Sequence, residues 1–247
     1  MRPFFLLGAM LAAGISVSAG EQRFASGPAR TPLVELYTSE GCSSCPPAER
    51  WLGTLRGEEG LWRDFVPVEF HVNYWDQLGW PDRFATAEFT RREYAYAAAW
   101  GSASVYTPCV VRGGAEWKLN GALREAAPVP AGILAVTLVD GLCRVEFAPT
   151  GNVSTSRVAY EVHVAWLEGG VVSKVAAGEN RGRTLVHEFV ASALANHDLT
   201  ATDGKQRAEF SLPPRPADGA PRRALAAWVT RRGEVAPLQA TGGWIDP

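Results

Sequence analysis

The stretch LYTSEGCSSCPPAERWL, residues 36–52, decides the fold prediction for the first half of the chain. Two cysteines, Cys42 and Cys45, stand directly after the apolar run at residues 33–37 and before two prolines. Apolar side chains recur at helical spacing from Pro46 onward, so the pair is predicted to lie between a strand and a helix. Such a pair can be a redox centre, half of a metal site or a structural clip.

Residues 1–19 have the features of a secretory signal peptide. Arg2 precedes an apolar core at residues 4–17, and small residues precede a cleavage site near Ala19. We therefore expect a periplasmic or secreted protein. The apolar core is shorter than the roughly 20 residues that a membrane-spanning helix needs, so no membrane span is expected after cleavage. An uncleaved anchor is the alternative.

Composition argues against a nucleic-acid partner. The chain has 24 basic and 26 acidic residues, a formal charge of −2, and loss of Arg2 would make it more negative. Nucleic-acid-binding proteins usually carry a basic face instead. The 247 residues suffice for one large or two small domains.

The periodicity of apolar residues changes once along the chain. Between residues 33 and 127, strand-like and helical patterns alternate in the order β-α-β-α-β-β, which predicts an α/β domain over residues 31–128. Beyond Pro128, short strand-like runs alternate with turn residues. This pattern predicts a β-rich, sandwich-like accessory domain over residues 132–247.

A cysteine pair between a strand and a helix in an α/β domain is the setting of a thioredoxin-like redox motif. The helix dipole and free backbone N–H groups would lower the pKa of Cys42, so we expect its sulfur to be ionised and accessible at neutral pH and to be the attacking thiolate. The enzymatic interpretation depends on this expectation. Cys45, one turn along, would be shielded and would resolve a mixed disulfide. Pro46 and Pro47 fit the first helical turn, where a missing N–H has no helical partner.

A second feature is VYTPCVV, where Pro108 begins the third strand. In thioredoxin-like folds a proline at this point follows a cis peptide bond and packs beside the cysteine pair. Thr107 would then offer backbone groups to an extended substrate. Only about 5–6% of X–Pro bonds are cis, so a cis bond here would support this interpretation.

Four motifs carry a resemblance to a known family: VELYTSEGCSSCPPAE, FHVNYWDQLGWPDRFATAEFTRREYAYA, VYTPCVV and GENRGRTLVHEFV. The chain resembles the secreted thioredoxin-like family catalogued as domain of unknown function 1223. The resemblance implies a thioredoxin-like domain with a β-rich extension and no established substrate. The chain departs from the family pattern at Asn73, where Asp is usual, and at Cys109, where Gln is usual.

Two further side chains are candidates for chemistry. Glu35, inside the first strand, is either a proton acceptor for Cys45 with a raised pKa or a solvent-facing residue. His71, on the second strand, is either a packing residue or a ligand that joins Cys42 and Cys45 around Cu(I). A four-ligand zinc site would need a second close cysteine pair, which the sequence lacks.

The loop after the second strand is rich in aromatic residues, with Tyr74, Trp75 and Trp80 around Asp76. It could form the floor of a peptide-binding groove or pack between domains, and Asp76 is a candidate acid.

The sequence leaves open whether the other two cysteines are paired. Cys109 and Cys143 either form a disulfide that ties the two halves together, or Cys109 is an extra thiol near Cys42 and Cys143 is a core residue. In GENRGRTLVHEFV, the residues Arg181, Arg183 and His187 could form a binding patch, although glycines there indicate a turn and the alternation a strand.

Taken together, the sequence predicts an exported thiol–disulfide oxidoreductase that needs no dissociable cofactor. Its partners would be thiols and disulfides of proteins or small molecules, with a membrane thiol-redox protein as one candidate. One alternative is a periplasmic copper chaperone that uses the same cysteines. Another is a non-catalytic scaffold in which the β-rich region binds the partner.

Overall fold

The computed structural model describes residues 20–119, 121–123, 127–150, 158–214 and 219–245. The predicted signal peptide, residues 1–19, lies outside the described residues. Within the described ranges, every helix is too short or too polar to cross a bilayer.

The described part of the chain contains two α-helices and fourteen strands. The helices are α1 (Pro46–Thr54) and α2 (Ala87–Trp100). The strands are β1 (Gln22–Ala25), β2 (Leu33–Thr38), β3 (Val66–His71), β4 (Cys109–Arg112), β5 (Ala115–Glu116), β6 (Gly132–Val139), β7 (Leu142–Pro149), β8 (Tyr160–Gly169), β9 (Val171–Lys174), β10 (Thr184–His187), β11 (Val190–Thr202), β12 (Lys205–Ser211), β13 (Arg222–Arg231) and β14 (Gln239–Trp244).

Twelve of the described strands form one mixed sheet in the order β1-β6-β7-β12-β11-β3-β2-β4-β5. From β11 the sheet also continues through β8 and β13 to β14. The pairs β2–β3 and β3–β11 are parallel, whereas β2–β4 is antiparallel. Strands β9 and β10 pair with each other in a separate antiparallel ribbon.

The helix boundaries follow from local sequence. Cys45 is the N-cap of α1, and prolines occupy its first two positions, where a backbone N–H is not needed. Helix α2 begins after Thr86, whose hydroxyl accepts from the N–H of Phe89 at 3.1 Å. It ends at Gly101 with a φ of 69°, the left-handed conformation that glycine adopts readily.

The predicted fold class, an α/β thioredoxin-like domain followed by a separate β-rich domain, is wrong. The predicted order is present as β2-α1-β3-α2-β4-β5, but these strands are part of a large mixed sheet in a mostly β chain. The two halves join at β3, where Val190 pairs with Glu69 and the N–H of Glu69 donates to Phe189 O at 2.8 Å. Periodicity shows which faces are buried but not which strand edges meet, so it could not reveal this pairing.

The hydrophobic core also crosses the predicted domain boundary. Trp228 of β13 is fully buried and packs edge-on against Phe70 of β3, with ring centroids 6.2 Å apart. The limits 31–128 and 132–247 stay a prediction, although one core cluster draws on both ranges.

The two cysteines outside the CxxC pair are both buried and free. Of the two alternatives that the sequence leaves open, the disulfide between Cys109 and Cys143 is therefore wrong. Cys143 lies in the second core cluster with Val145 and Phe147, which confirms its interpretation as a core residue.

His163 of β8 is a buried histidine within the sheet. Its Nδ1 lies 2.6 Å from Asn196 Oδ1 and its Nε2 lies 3.0 Å from Thr230 Oγ1. The ring stacks on Trp228, with centroids 5.3 Å apart. Burial, together with the positive charge of Arg92, lowers the pKa of His163 to about 3.

This histidine makes folding stability depend on pH. Between pH 3 and 6.5, His163 binds a proton in the unfolded chain but not in the folded chain. The free energy of unfolding therefore falls as pH falls below 6.5. We expect a contribution on the order of 2 kcal/mol between pH 7 and pH 5. Urea unfolding of His163→Gln at both values should show a smaller loss than the parent protein, whereas exposed His197→Gln should keep the parent loss. Equal losses for His163→Gln and the parent would contradict this.

Candidate functional site

The cysteine turn lies between the end of β2 and the start of α1. Cys42 and Cys45 form a disulfide, with Cα atoms 5.5 Å apart. The N–H of Cys42 donates to Ser39 O at 3.0 Å, and the N–H of Cys45 donates to Cys42 O at 3.2 Å. The pair therefore stands at a helix start, as the sequence predicts.

The structure brings this turn next to the segment that begins β4. The Thr107–Pro108 peptide bond is cis, as expected from the sequence. Cys42 Sγ lies 3.8 Å from Thr107 O and 3.3 Å from Ser44 Oγ. Two of the predicted site residues, Cys42 and Thr107, thus meet, and Pro108 follows Thr107 in the chain.

The expectation that the sulfur of Cys42 is accessible is wrong, because both cysteines are 0% exposed. Only the intervening Ser43 and Ser44 are exposed. Trp75 covers one side of the turn: a Cβ on Gly41 would lie 3.0 Å from Trp75 Cβ. The indole N–H of Trp75 donates to Thr107 Oγ1 at 2.7 Å, which holds the cover in place.

A second cover comes from the turn between β9 and β10. The buried side chain of Asn180 donates from Nδ2 to Glu40 O at 2.9 Å and to Cys42 O at 2.8 Å. Glu179 Oε2 accepts from the N–H of Ser43 at 3.1 Å, and this contact lowers the pKa of Glu179. The GENRG motif therefore clamps the cysteine turn, a role for Asn180 that sequence reasoning missed.

Glu35 lies in a closed buried network. Its carboxylate accepts from Arg92 Nε at 2.7 Å, Tyr96 Oη at 2.5 Å and Tyr37 Oη at 2.8 Å. Because Glu35 is 0% exposed, the alternative that it faces solvent is wrong. Its role as proton acceptor for Cys45 stays a prediction, and its three partners favour a structural role.

His71 is also fully buried. Its Nδ1 lies 2.6 Å from Asp82 Oδ2 and its Nε2 lies 3.0 Å from Glu69 Oε1. Both ring nitrogens face carboxylates, so a copper site with Cys42 and Cys45 would require His71 to leave these partners.

His187 of β10 completes a buried cluster with His71. Its Nδ1 lies 3.0 Å from the same Glu69 Oε1, and the two imidazole centroids are 5.0 Å apart. Its Nε2 lies 3.4 Å from Glu40 Oε1. The N–H of Glu40 donates to Asp82 Oδ2 at 2.8 Å, so the cluster directly supports the residues that lead into the cysteine turn.

Mutual contacts set the charges of this cluster. Burial opposes ionisation, but the charge and hydrogen bond of His71 lower the pKa of Asp82 to about 2. Burial likewise opposes the positive form of His187, but its contacts with Glu40 and Glu69 raise its pKa to about 9. Burial and the nearby charge of Glu69 raise the pKa of Glu49 in α1 to about 7.

The sequence carried a partial signal for the cluster. Glu69 and His71 alternate within an apolar strand, and His187 alternates with Leu185, but the sequence predicts a role only for the two histidines. Glu40 and Asp82 lie in connecting segments, where polar residues are ordinary.

The remaining candidates lie at the margins of the site. Asp76 Oδ1 accepts from the N–H of Asp82 at 3.1 Å, and burial raises its pKa. Trp80 donates from Nε1 to Glu40 Oε2 at 2.7 Å. Burial raises the pKa of Cys109 to about 12, so this thiol is protonated at neutral pH.

The family described as "Protein of unknown function (DUF1223)" matches residues 33–230. The chain belongs to this family. The matched range of the DUF1223 chain includes both cysteines of the pair, Pro108 and the whole buried cluster.

Two solved structures resemble the DUF1223 chain. An X-ray crystal structure of a protein from Agrobacterium tumefaciens is 24% identical, covers 87% of this chain and 94% of its own, and has a TM-score of 0.62. HBP35 of Porphyromonas gingivalis is 14% identical, covers 90% of this chain and 77% of its own, and has a TM-score of 0.57. At these identities the likeness shows the fold alone. No curated protein matches the sequence.

The network around Glu35 leads to a stability prediction. Glu35→Gln should destabilise the DUF1223 chain by about 3–5 kcal/mol in urea unfolding, because it leaves the buried Arg92 charge unpaired. The rate at which dithiothreitol reduces the folded protein should stay unchanged. Glu209→Gln, which breaks an exposed ion pair with Arg144, should cost less than about 0.5 kcal/mol. A stable Glu35→Gln with slowed reduction would instead favour the proton-acceptor role.

Proposed function

We propose that the protein exchanges thiols and disulfides at the Cys42–Cys45 pair. The observation that supports this most is the contact between Cys42 Sγ and Thr107 O, at 3.8 Å, beside the start of α1. An extended substrate that paired with the backbone at Thr107 would carry its own sulfur close to Cys42.

The proposed reaction is a two-electron exchange. A substrate thiolate attacks Sγ of Cys42, the Cys42–Cys45 bond breaks, and the sulfur of Cys45 leaves and takes up a proton. A second substrate thiol loses its proton and attacks the substrate sulfur of the mixed disulfide, which releases the Cys42 thiolate. The substrate is oxidised to a disulfide and the protein is reduced to a dithiol. The reverse sequence reduces a substrate disulfide.

The burial of Cys42 sets a condition on this reaction. A thiolate must approach the sulfur along the S–S axis, and Trp75 and the Asn180 turn cover the pair. Exchange therefore requires one of these covers to move. Such a protein would react slowly with small thiols and faster with a partner that displaces the cover.

The expected partners are thiols and disulfides of exported proteins or small molecules, and a membrane thiol-redox protein is a candidate for supplying or removing electrons. The chemistry needs no dissociable cofactor, since the disulfide itself carries the electrons.

A specific observation favours a second candidate. Because both sulfurs are 0% exposed, the pair also suits a structural disulfide in a non-catalytic binding scaffold.

The copper-chaperone alternative predicts stoichiometric Cu(I) binding by the reduced protein in anaerobic titration, lost when both cysteines are replaced.

The reduction potential distinguishes exchange from a structural role. Equilibration of the folded protein with dithiothreitol or glutathione, followed by thiol alkylation and mass measurement, should give a potential above about −300 mV, the region of catalytic dithiols. Cys143→Ser should leave the value unchanged, since Cys143 lies in a separate core. A potential below that limit would favour the scaffold.

A trapping experiment tests which sulfur is attacked. Cys45→Ser should form a mixed disulfide with glutathione disulfide at Cys42, because Cys42 Sγ faces the Thr107 segment. The matched variant Cys42→Ser, which leaves only Cys45, should react more slowly. Equal trapping, or none in either variant, would count against the proposed order of attack.

The hydrogen bonds of Asn180 to the cysteine segment lead to a further prediction. Asn180→Ala removes two hydrogen bonds to the backbone of the cysteine segment, so the covered disulfide should open more often. A loss of about 1.4 kcal/mol in the free energy of opening would raise the rate of reduction by dithiothreitol roughly tenfold. Asn196→Ala is the control and should react like the parent, because it also removes two side-chain hydrogen bonds but their partners, His163 and Glu88, lie outside the cysteine turn. An unchanged rate for Asn180→Ala would show that this turn does not limit access.

A further inference from the structure

We propose that Glu69, His71 and His187 bind a divalent transition-metal ion such as Zn²⁺ between β3, β10 and α1. This site is separate from the disulfide and uses none of its sulfur atoms. The inference does not depend on the proposed thiol–disulfide exchange.

The three side chains have the spacing of metal ligands. Each offers one nitrogen or oxygen, and these atoms lie within 4.8 Å of one another. His71 Nε2 and His187 Nδ1 are each 3.0 Å from Glu69 Oε1. Ligand atoms around a tetrahedral ion with bonds of about 2.0 Å are about 3.3 Å apart, so modest shifts suffice.

The second nitrogen of each imidazole supports the same conclusion. His71 Nδ1 lies 2.6 Å from Asp82 Oδ2, and His187 Nε2 lies 3.4 Å from Glu40 Oε1. Metal-binding histidines almost always face a carboxylate, carbonyl or water with the nitrogen that does not bind the ion. Both histidines of the cluster have this arrangement.

Unpaired atoms in the cluster provide an independent observation. Glu69 Oε2 is buried and has no hydrogen-bond partner among the described residues, and the facing atoms Glu40 Oε1 and His187 Nε2, 3.4 Å apart, do not form a well-aligned hydrogen bond. Native proteins leave few buried polar atoms unpaired. Oε2 belongs to the carboxylate that both imidazoles already share, so an ion between them would take it up as a ligand.

The donor set indicates the class of ion. Two imidazoles with a carboxylate suit Zn²⁺ and related divalent first-row ions, whereas Cu(I) prefers sulfur. Glu49 Oε2 lies 4.0 Å from His187 Nδ1, so α1 holds a second carboxylate near enough to complete the coordination. An ion held this way would link α1, which carries the cysteine turn, to β10.

Metal content of the full chain tests the site. Because the ligands are buried, the protein is refolded from urea with Zn²⁺ and then dialysed. The double variant Cys42→Ser/Cys45→Ser is used as background, so that the cysteine pair cannot bind the ion. We expect about one equivalent of Zn²⁺ by mass spectrometry and a rise in Tm of several degrees over protein refolded with EDTA.

Matched variants identify the ligands. His187→Gln and Glu69→Gln should lose the bound Zn²⁺, whereas His163→Gln, which changes a buried histidine without carboxylate contacts, should keep it. Asp82→Asn keeps the shape of the side chain next to His71 and should lower the affinity about 10-fold to 100-fold.

If the ligand variants do not fold, the metal content of the Cys42→Ser/Cys45→Ser protein decides the test. If that protein retains no Zn²⁺ after refolding, the cluster is an ion-paired core and the proposal is overturned. Retention by His187→Gln at the parental level would overturn it equally. Absence of thiol–disulfide exchange in a protein that still binds Zn²⁺ would contradict only the proposed function of the disulfide.

Discussion

The contact between His187 and Glu69 is the constraint on which the rest of the structure depends. The two residues are 118 positions apart, both are fully buried, and their polar atoms meet at 3.0 Å. A buried ionised group without its partner is strongly destabilising, so β10 must dock against β3 for either side chain to be tolerated. Docking in turn brings the start of β11 beside β3 and makes the sheet continuous.

That docking also explains why the cysteine turn is covered. The turn that precedes β10 is carried onto residues 40–43, where Asn180 binds two carbonyl groups and Glu179 binds the N–H of Ser43. The carboxylate of Glu179 and the helix start attract each other, and the same electropositive end would stabilise a thiolate at Cys42. The turn with Glu179 and Asn180 therefore restricts access to the sulfur of Cys42. The carboxylate of Glu179 also offsets part of the positive potential of the helix start that would stabilise a thiolate there.

Local features of the sequence predicted local features of the structure. The cysteine pair at the start of α1 and the core position of Cys143 depend on neighbours along the chain and are confirmed. Strand β11 does not alternate cleanly over its long middle part, and a register shift interrupts it between Ala191 and Ala193, so its extent does not follow from the pattern of apolar residues. The fold class was wrong because the pairing of β3 with β11 joins distant residues and leaves no local pattern.

The same geometry separates two buried charge networks that the sequence could not tell apart. In the β2–β3 pair, Leu36 lies opposite Glu69, so Glu35 points to the other face of the sheet. Accordingly, Glu35 meets Arg92 of α2, whereas Glu69 shares its cluster with residues near α1. Only the Glu69 cluster contacts the segment that leads into the cysteine turn, through Asp82 and the N–H of Glu40. A change of charge or ligand there can therefore reach Cys42 through Glu40, two residues before it, whereas the side chain of Glu35 lies on the opposite face of β2.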